Sequence, residues 1–185
     1  MRIILMTFVL CMFSMTVNAQ DDKCKCCTEN HSAFDFWIGT WNVTNPDGSV
    51  AGKNIIDKIQ DECILRENWI SAKGKYTGTS NNFYNAEKKQ WEQIWIDNQG
   101  GSLHLKGNRV DNQMILQTEE AKNKDGKPFV HRVTWTLNKD GSVRQLWETI
   151  TNGTEVTIAF DGLYKKEKAN VQERAPIKEI DVKKE

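Results

Sequence analysis

Between Phe34 and Tyr164 the chain is a succession of short β-rich runs, each about 6 to 12 residues long, broken by turn signals. The punctuation is dense: Pro46-Asp47-Gly48, Lys73-Gly74, Gly100-Gly101, Asp125-Gly126, Asp140-Gly141 and Asn152-Gly153. Such dipeptides supply the positive φ that tight hairpins need. The runs predict strands over 36–44, 50–59, 63–71, 75–84, 90–97, 102–107, 112–119, 129–137, 142–150 and 155–164. Only Pro128 interrupts the later ones, at a strand start, and apart from a turn before Phe36 no segment has helical periodicity. About ten short, evenly spaced strands with hairpin connections and no long crossover predict an all-β, single antiparallel up-and-down barrel, which also removes exposed sheet edges.

Residues two apart on a strand share a face. One unit recurs at that spacing: Glu67-Asn68-Trp69, Gln93-Ile94-Trp95 and Gln145-Leu146-Trp147. In each, a carboxylate or amide shares a face with an indole. A fourth strand alternates Tyr76, Gly78, Ser80, Asn82 and Tyr84 against Thr77, Thr79, Asn81 and Phe83. Neither face of these strands is purely apolar, whereas a plain sandwich would alternate more cleanly. Faces that mix Trp and Tyr with Gln, Glu and Asn suit a cavity wall, where apolar bodies give area and a few polar groups give orientation. The expected lining is Glu67, Trp69, Tyr76, Asn82, Gln93, Trp95, Gln145 and Trp147. The plainer alternative is that the indoles are ordinary core and the amides satisfy one another.

The ends change the picture of compartment. Met1-Arg2, the apolar run Ile3–Met15 and Val17-Asn18-Ala19 read as the three parts of a secretory signal cleaved after Ala19. The run is too short to span a bilayer, so residues 1–19 are expected to be removed and the protein to be secreted or periplasmic, with no membrane span afterwards. The remaining chain carries one fewer basic than acidic residue; near-neutrality with no basic stripe argues against nucleic acid as a partner. Residues 20–33 read as an extended, cysteine-bearing tail, 34–165 as the barrel domain and 166–185 as a charged C-terminal tail.

Export makes disulfides the leading reading of Cys24, Cys26, Cys27 and Cys63. A bridge from Cys63 to one tail cysteine would tie the tail to the domain, with the other two bridged or reduced. Cys24, Cys26, Cys27 and His31 could instead chelate a soft metal, but their spacing matches no standard zinc module. His104 and His131 stand alone in their strands, which gives no more than a weak case for a haem ligand. No metal or other cofactor is therefore assigned, and no catalytic residue.

The motif Phe34-Asp35-Phe36-Trp37-Ile38-Gly39-Thr40-Trp41-Asn42-Val43 resembles the "FDFWIGxWxV" opening of a family of uncharacterised bacterial exported proteins. Cys63–Trp69, Gly78–Tyr84, Gln93–Asp97, Gln145–Glu148 and Phe160–Tyr164 are similar to that family as well. The resemblance implies a lipocalin-like (calycin-like) barrel, closed at one end by a Gly-x-Trp that would here be Gly39-Thr40-Trp41. It implies no catalytic role for any residue.

Together these readings point to an exported barrel that binds a small, partly apolar molecule. Two alternatives stand beside it: a cofactor-free isomerase or cyclase using Glu67 or Asp97, and an interaction module whose interior is filled.

Overall fold

The computed structural model describes residues 24–167; the expected signal segment and nearly all of the expected C-terminal tail lie outside the described residues. The strands are β1 (Gly39–Thr44), β2 (Val50–Ile59), β3 (Ile64–Ser71), β4 (Thr77–Asn85), β5 (Gln90–Asp97) and β6 (Ser102–Val110). They continue as β7 (Gln113–Thr118), β8 (Ala121–Lys122), β9 (Pro128–Leu137), β10 (Val143–Thr151) and β11 (Glu155–Lys166). Every pairing is antiparallel. β10 pairs with β9 on one side and β11 on the other, and β11 pairs with β1, so ten strands close into a lipocalin-like barrel. The two-residue β8 is an appendage of β9.

One turn sequence builds three of the hairpins. Asn45–Ser49, Asn123–Lys127 and Asn138–Ser142 all follow Asn-x-Asp-Gly-x, with the Asn N–H donating to the fifth residue's carbonyl and the Gly N–H returning to the Asn carbonyl. Gly48 and Gly141 sit at φ 82° and 81°, a conformation that a side chain would strain. Asp47 and Asp140 each accept both the amide and the hydroxyl of the serine two residues on. Those hydroxyl bonds hold both carboxyls below their ordinary range.

The first strand begins later than the sequence predicts, because residues before it close one end of the barrel. Asp35–Trp37 form a 3-10 turn that carries Phe34 and Trp37, both fully buried, into that end of the barrel. Phe34 stacks on Trp37 at 5.0 Å and meets Trp135 and Trp91 edge-on at 5.1 and 5.7 Å. Trp41, in the Gly39-Thr40-Trp41 segment, is fully buried beside them and donates its indole N–H to the Trp37 carbonyl at 2.8 Å. Lys166 lies 5.3 Å above the Trp41 ring, and Arg109 clasps the plug by donating to the Ala33 carbonyl while covering Phe36.

The tail preceding the plug is folded rather than extended. Its cysteines pair as Cys24–Cys27 and Cys26–Cys63, and Thr28 caps a single helical turn, α1 (Glu29–Ser32). The second bridge pins the tail to the β2–β3 turn. All four thiols are consumed by these bridges, so the tail has no thiolate with which to chelate a metal.

Candidate functional site

Because neighbouring strands alternate in direction, β3, β5 and β10 all run from the plugged end toward the opposite rim. The recurring polar-x-Trp unit lies on these three strands. Each therefore sets its polar residue deep and its indole two residues nearer the mouth. The result is a cavity of about 370 Å³ above the plug. Rim residues Asn45, Val50, Ser71 and Lys73 border it, so it opens at the end opposite the plug.

Seven of the eight residues singled out from the sequence border this space: Glu67, Trp69, Tyr76, Gln93, Trp95, Gln145 and Trp147. Asn82 shares their face but lies deeper, wholly buried within the floor. It donates to the Leu65 carbonyl and the Ser80 hydroxyl, both at 2.9 Å. Leu103, Leu105, Val133, Phe160 and Tyr164 add to the interior walls, and Ala51 and the exposed Ala159 border the space as well.

The floor is a continuous polar band. Gln93 donates to Asn82 at 2.8 Å, and the Ser80 hydroxyl donates to Glu67 at 2.6 Å. Asn54 donates to the other Glu67 oxygen at 2.7 Å and reaches the Tyr164 hydroxyl at 3.4 Å. Tyr164 in turn donates to Gln145. Six strands thus contribute to one network, and a buried network of this kind fixes the orientation of its members.

Glu67 is the electrostatic centre of that floor. It is only 4% exposed, and both of its partners are neutral. Burial pushes its carboxyl up to about 7, outweighing the opposing hydrogen bonds from Ser80 and Asn54. Burial, reinforced by the Glu67 charge, also raises the Tyr164 hydroxyl well above its ordinary value.

Glycines set the shape of the upper wall. Trp69 lies against Gly52 of β2, Trp95 against Gly78 of β4, and Phe160 against Gly162 of its own strand. A Cβ at any of the three would come within 3 Å of the ring. The missing side chains let the rings lie back against the barrel wall, which keeps the centre open. These glycines, with Asn54, Ser80 and Tyr164, were not among the residues expected to build the site. Ser80 had the clearest signal, since it alternates in phase with Tyr76 and Asn82.

The other candidates are accounted for locally. Asp97 lies at the rim, where its carboxylate accepts the amides of Gln99 and Gly101 at 2.9 Å and the Tyr76 hydroxyl at 3.2 Å. Those amide bonds hold its carboxyl below the ordinary range. Neither strand histidine stands alone: His104 meets Glu92 at 2.8 Å, and His131 accepts the Trp147 indole N–H at 3.1 Å. No group of three or more metal-ligating side chains is found among the described residues.

No helix among the described residues is long and apolar enough to cross a membrane. No protein-family model matches the sequence, and a search of curated proteins finds no match.

Proposed function

We propose that this protein is an exported barrel that binds a small, partly apolar molecule in the cavity above its aromatic plug. The observation that carries this reading is the division of the interior. Its lower half is packed with Phe34, Trp37, Trp41 and Trp135, while its upper half holds about 370 Å³ of open space walled by aromatic rings. That volume is within the range of small-molecule sites, and so is its mix of apolar wall and few polar groups. A filled interaction module would have no need of glycines that hold rings back from the centre. The two disulfides suit an oxidising compartment.

Catalysis by a carboxylate pair has less support. Among the described residues Glu67 is the only carboxylate bordering the cavity, and Asp97 is occupied by turn amides and Tyr76 at the rim.

Titration with the neutral fluorophore N-phenyl-1-naphthylamine tests the proposal. The expected result is saturable, one-to-one fluorescence enhancement that Leu103→Trp, which adds an indole to the cavity wall, abolishes. Enhancement unaffected by Leu103→Trp, or none with the wild-type protein, would overturn it.

A further inference from the structure

We propose that the molecule this cavity takes is an organic cation, an amine or quaternary ammonium on an apolar body, with its charge set against Glu67. This rests on the reading of the cavity as a binding site, and deepens it.

The first argument is charge. Among the described residues, Glu67 is the only acidic side chain bordering the cavity and Lys73, exposed in the turn at the mouth, the only basic one. The two groups that hold Glu67, Asn54 and Ser80, are neutral donors, and an ionised carboxylate can accept about four hydrogen bonds. The protein thus buries an acid without a cation to compensate it, an arrangement that is costly unless a partner arrives. The cost is visible in the carboxyl's displacement to about 7.

The second argument is the wall. Trp69, Trp95, Trp147, Phe160 and Tyr76 surround the space in front of Glu67. The faces of aromatic rings are electronegative and attract cations, most strongly where water is excluded. The same faces and the carboxylate would repel an anion. A neutral hydrocarbon would suit the rings but would strip water from Glu67 without replacing it. Gln93 directs its amide nitrogen at Asn82 and Ser80, so its carbonyl is one more acceptor facing the ligand. Charge, wall and spare acceptors all favour a donor-bearing cation.

The affinity should follow the ionisation of Glu67, because the tyrosines and the aspartate around it keep one state over the relevant range. Tyr164 on β11 and Tyr76, just before β4, both have raised hydroxyls and stay neutral. Asp97 on β5 is lowered and stays ionised, and His131 on β9, pushed down by burial, is not among the residues that border the cavity. Asn54, Ser80, Gln93 and Gln145 do not titrate.

The test is calorimetric titration of the disulfide-intact protein with three probes of one shape: benzyltrimethylammonium, its neutral isostere neopentylbenzene, and the anion phenylmethanesulfonate. At about pH 8.5 the cation should bind roughly tenfold or more tighter than the hydrocarbon, and the anion weakest. The cation's affinity should fall between about pH 8.5 and pH 5.5 as Glu67 takes up a proton. Glu67→Gln should remove that pH dependence and weaken the cation about tenfold. A hydrocarbon or anion that binds as tightly as the cation would overturn the inference while the cavity reading stands. So would a cation affinity that ignores both pH and Glu67→Gln, or no cation binding where N-phenyl-1-naphthylamine binds. Failure of all four compounds would overturn both.

Discussion

The indole of Trp95 lies across Gly78 on the neighbouring strand, so closely that a Cβ on Gly78 would fall 2.1 Å from its Cζ2 atom. Gly78→Ala must therefore push the ring out of its seat, and the free direction is into the cavity. Overpacking of this kind costs about 1–3 kcal/mol. The variant should stay folded, by its near-ultraviolet circular dichroism, while its affinity for N-phenyl-1-naphthylamine drops at least about tenfold. Unchanged affinity in a folded Gly78→Ala protein would show that the seat does not shape the site.

Glu67 makes stability depend on pH in an unusual direction for a carboxylate. Its folded-state value of about 7 lies above the ordinary 4.5, so the folded protein holds an extra proton between those values. The associated stability is present below about pH 4.5 and is lost as pH rises through 7, by about 3 kcal/mol in all. Glu67→Gln removes this dependence. Urea unfolding of both proteins at pH 5 and pH 8 checks it: the wild type should lose ground to the variant at the higher pH. A difference between the two that is constant with pH would contradict the assignment.

The Cys26–Cys63 bridge closes a loop with a sequence separation of 37. Chain-entropy arguments put the stabilisation from such a loop at about 4 kcal/mol. Non-reducing peptide mapping should recover Cys26 linked to Cys63 and Cys24 linked to Cys27, and Cys63→Ser should lower the unfolding midpoint accordingly. A free Cys63 thiol in the oxidised protein would rule the pairing out.

Trp37 caps the barrel from a 3-10 turn and is fully buried against Phe34 and Trp135. Trp37→Ala should cost about 3–5 kcal/mol by equilibrium denaturation, the range for a large core aromatic. A cost below about 1 kcal/mol would mean that the plug does not contribute its packing to the fold.

The barrel was legible in the sequence because strands and turns are local. Asn-x-Asp-Gly turns and runs of β-rich residues mark hairpins without knowledge of any partner. The polar-x-Trp units were legible as shared faces for the same reason. The sequence did not reveal what depends on register between strands. Nothing local says that Trp95 meets Gly78, that Trp69 meets Gly52, or that Asn54 and Ser80 reach Glu67 from opposite sides. Depth was equally hidden: Asn82 shares the face of the lining residues yet lies beneath them. The plug was legible only in part, since Trp37 looks like the start of a strand until the barrel end it must fill is known. Ile94 and Ile96, 42% and 52% exposed, show why alternation alone misleads here. Their β-branched side chains favour a strand even on its solvent face, so the outer surface carries apolar residues while the inner one carries Glu67 and Gln93.

The central claim is that the upper barrel holds a small molecule, and native mass spectrometry of protein purified from its own cells tests it most directly. The account predicts a discrete small-molecule adduct, released on denaturation and much reduced in Trp95→Ala. Protein that carries no adduct in the wild type, or an adduct retained equally by Trp95→Ala, would contradict it.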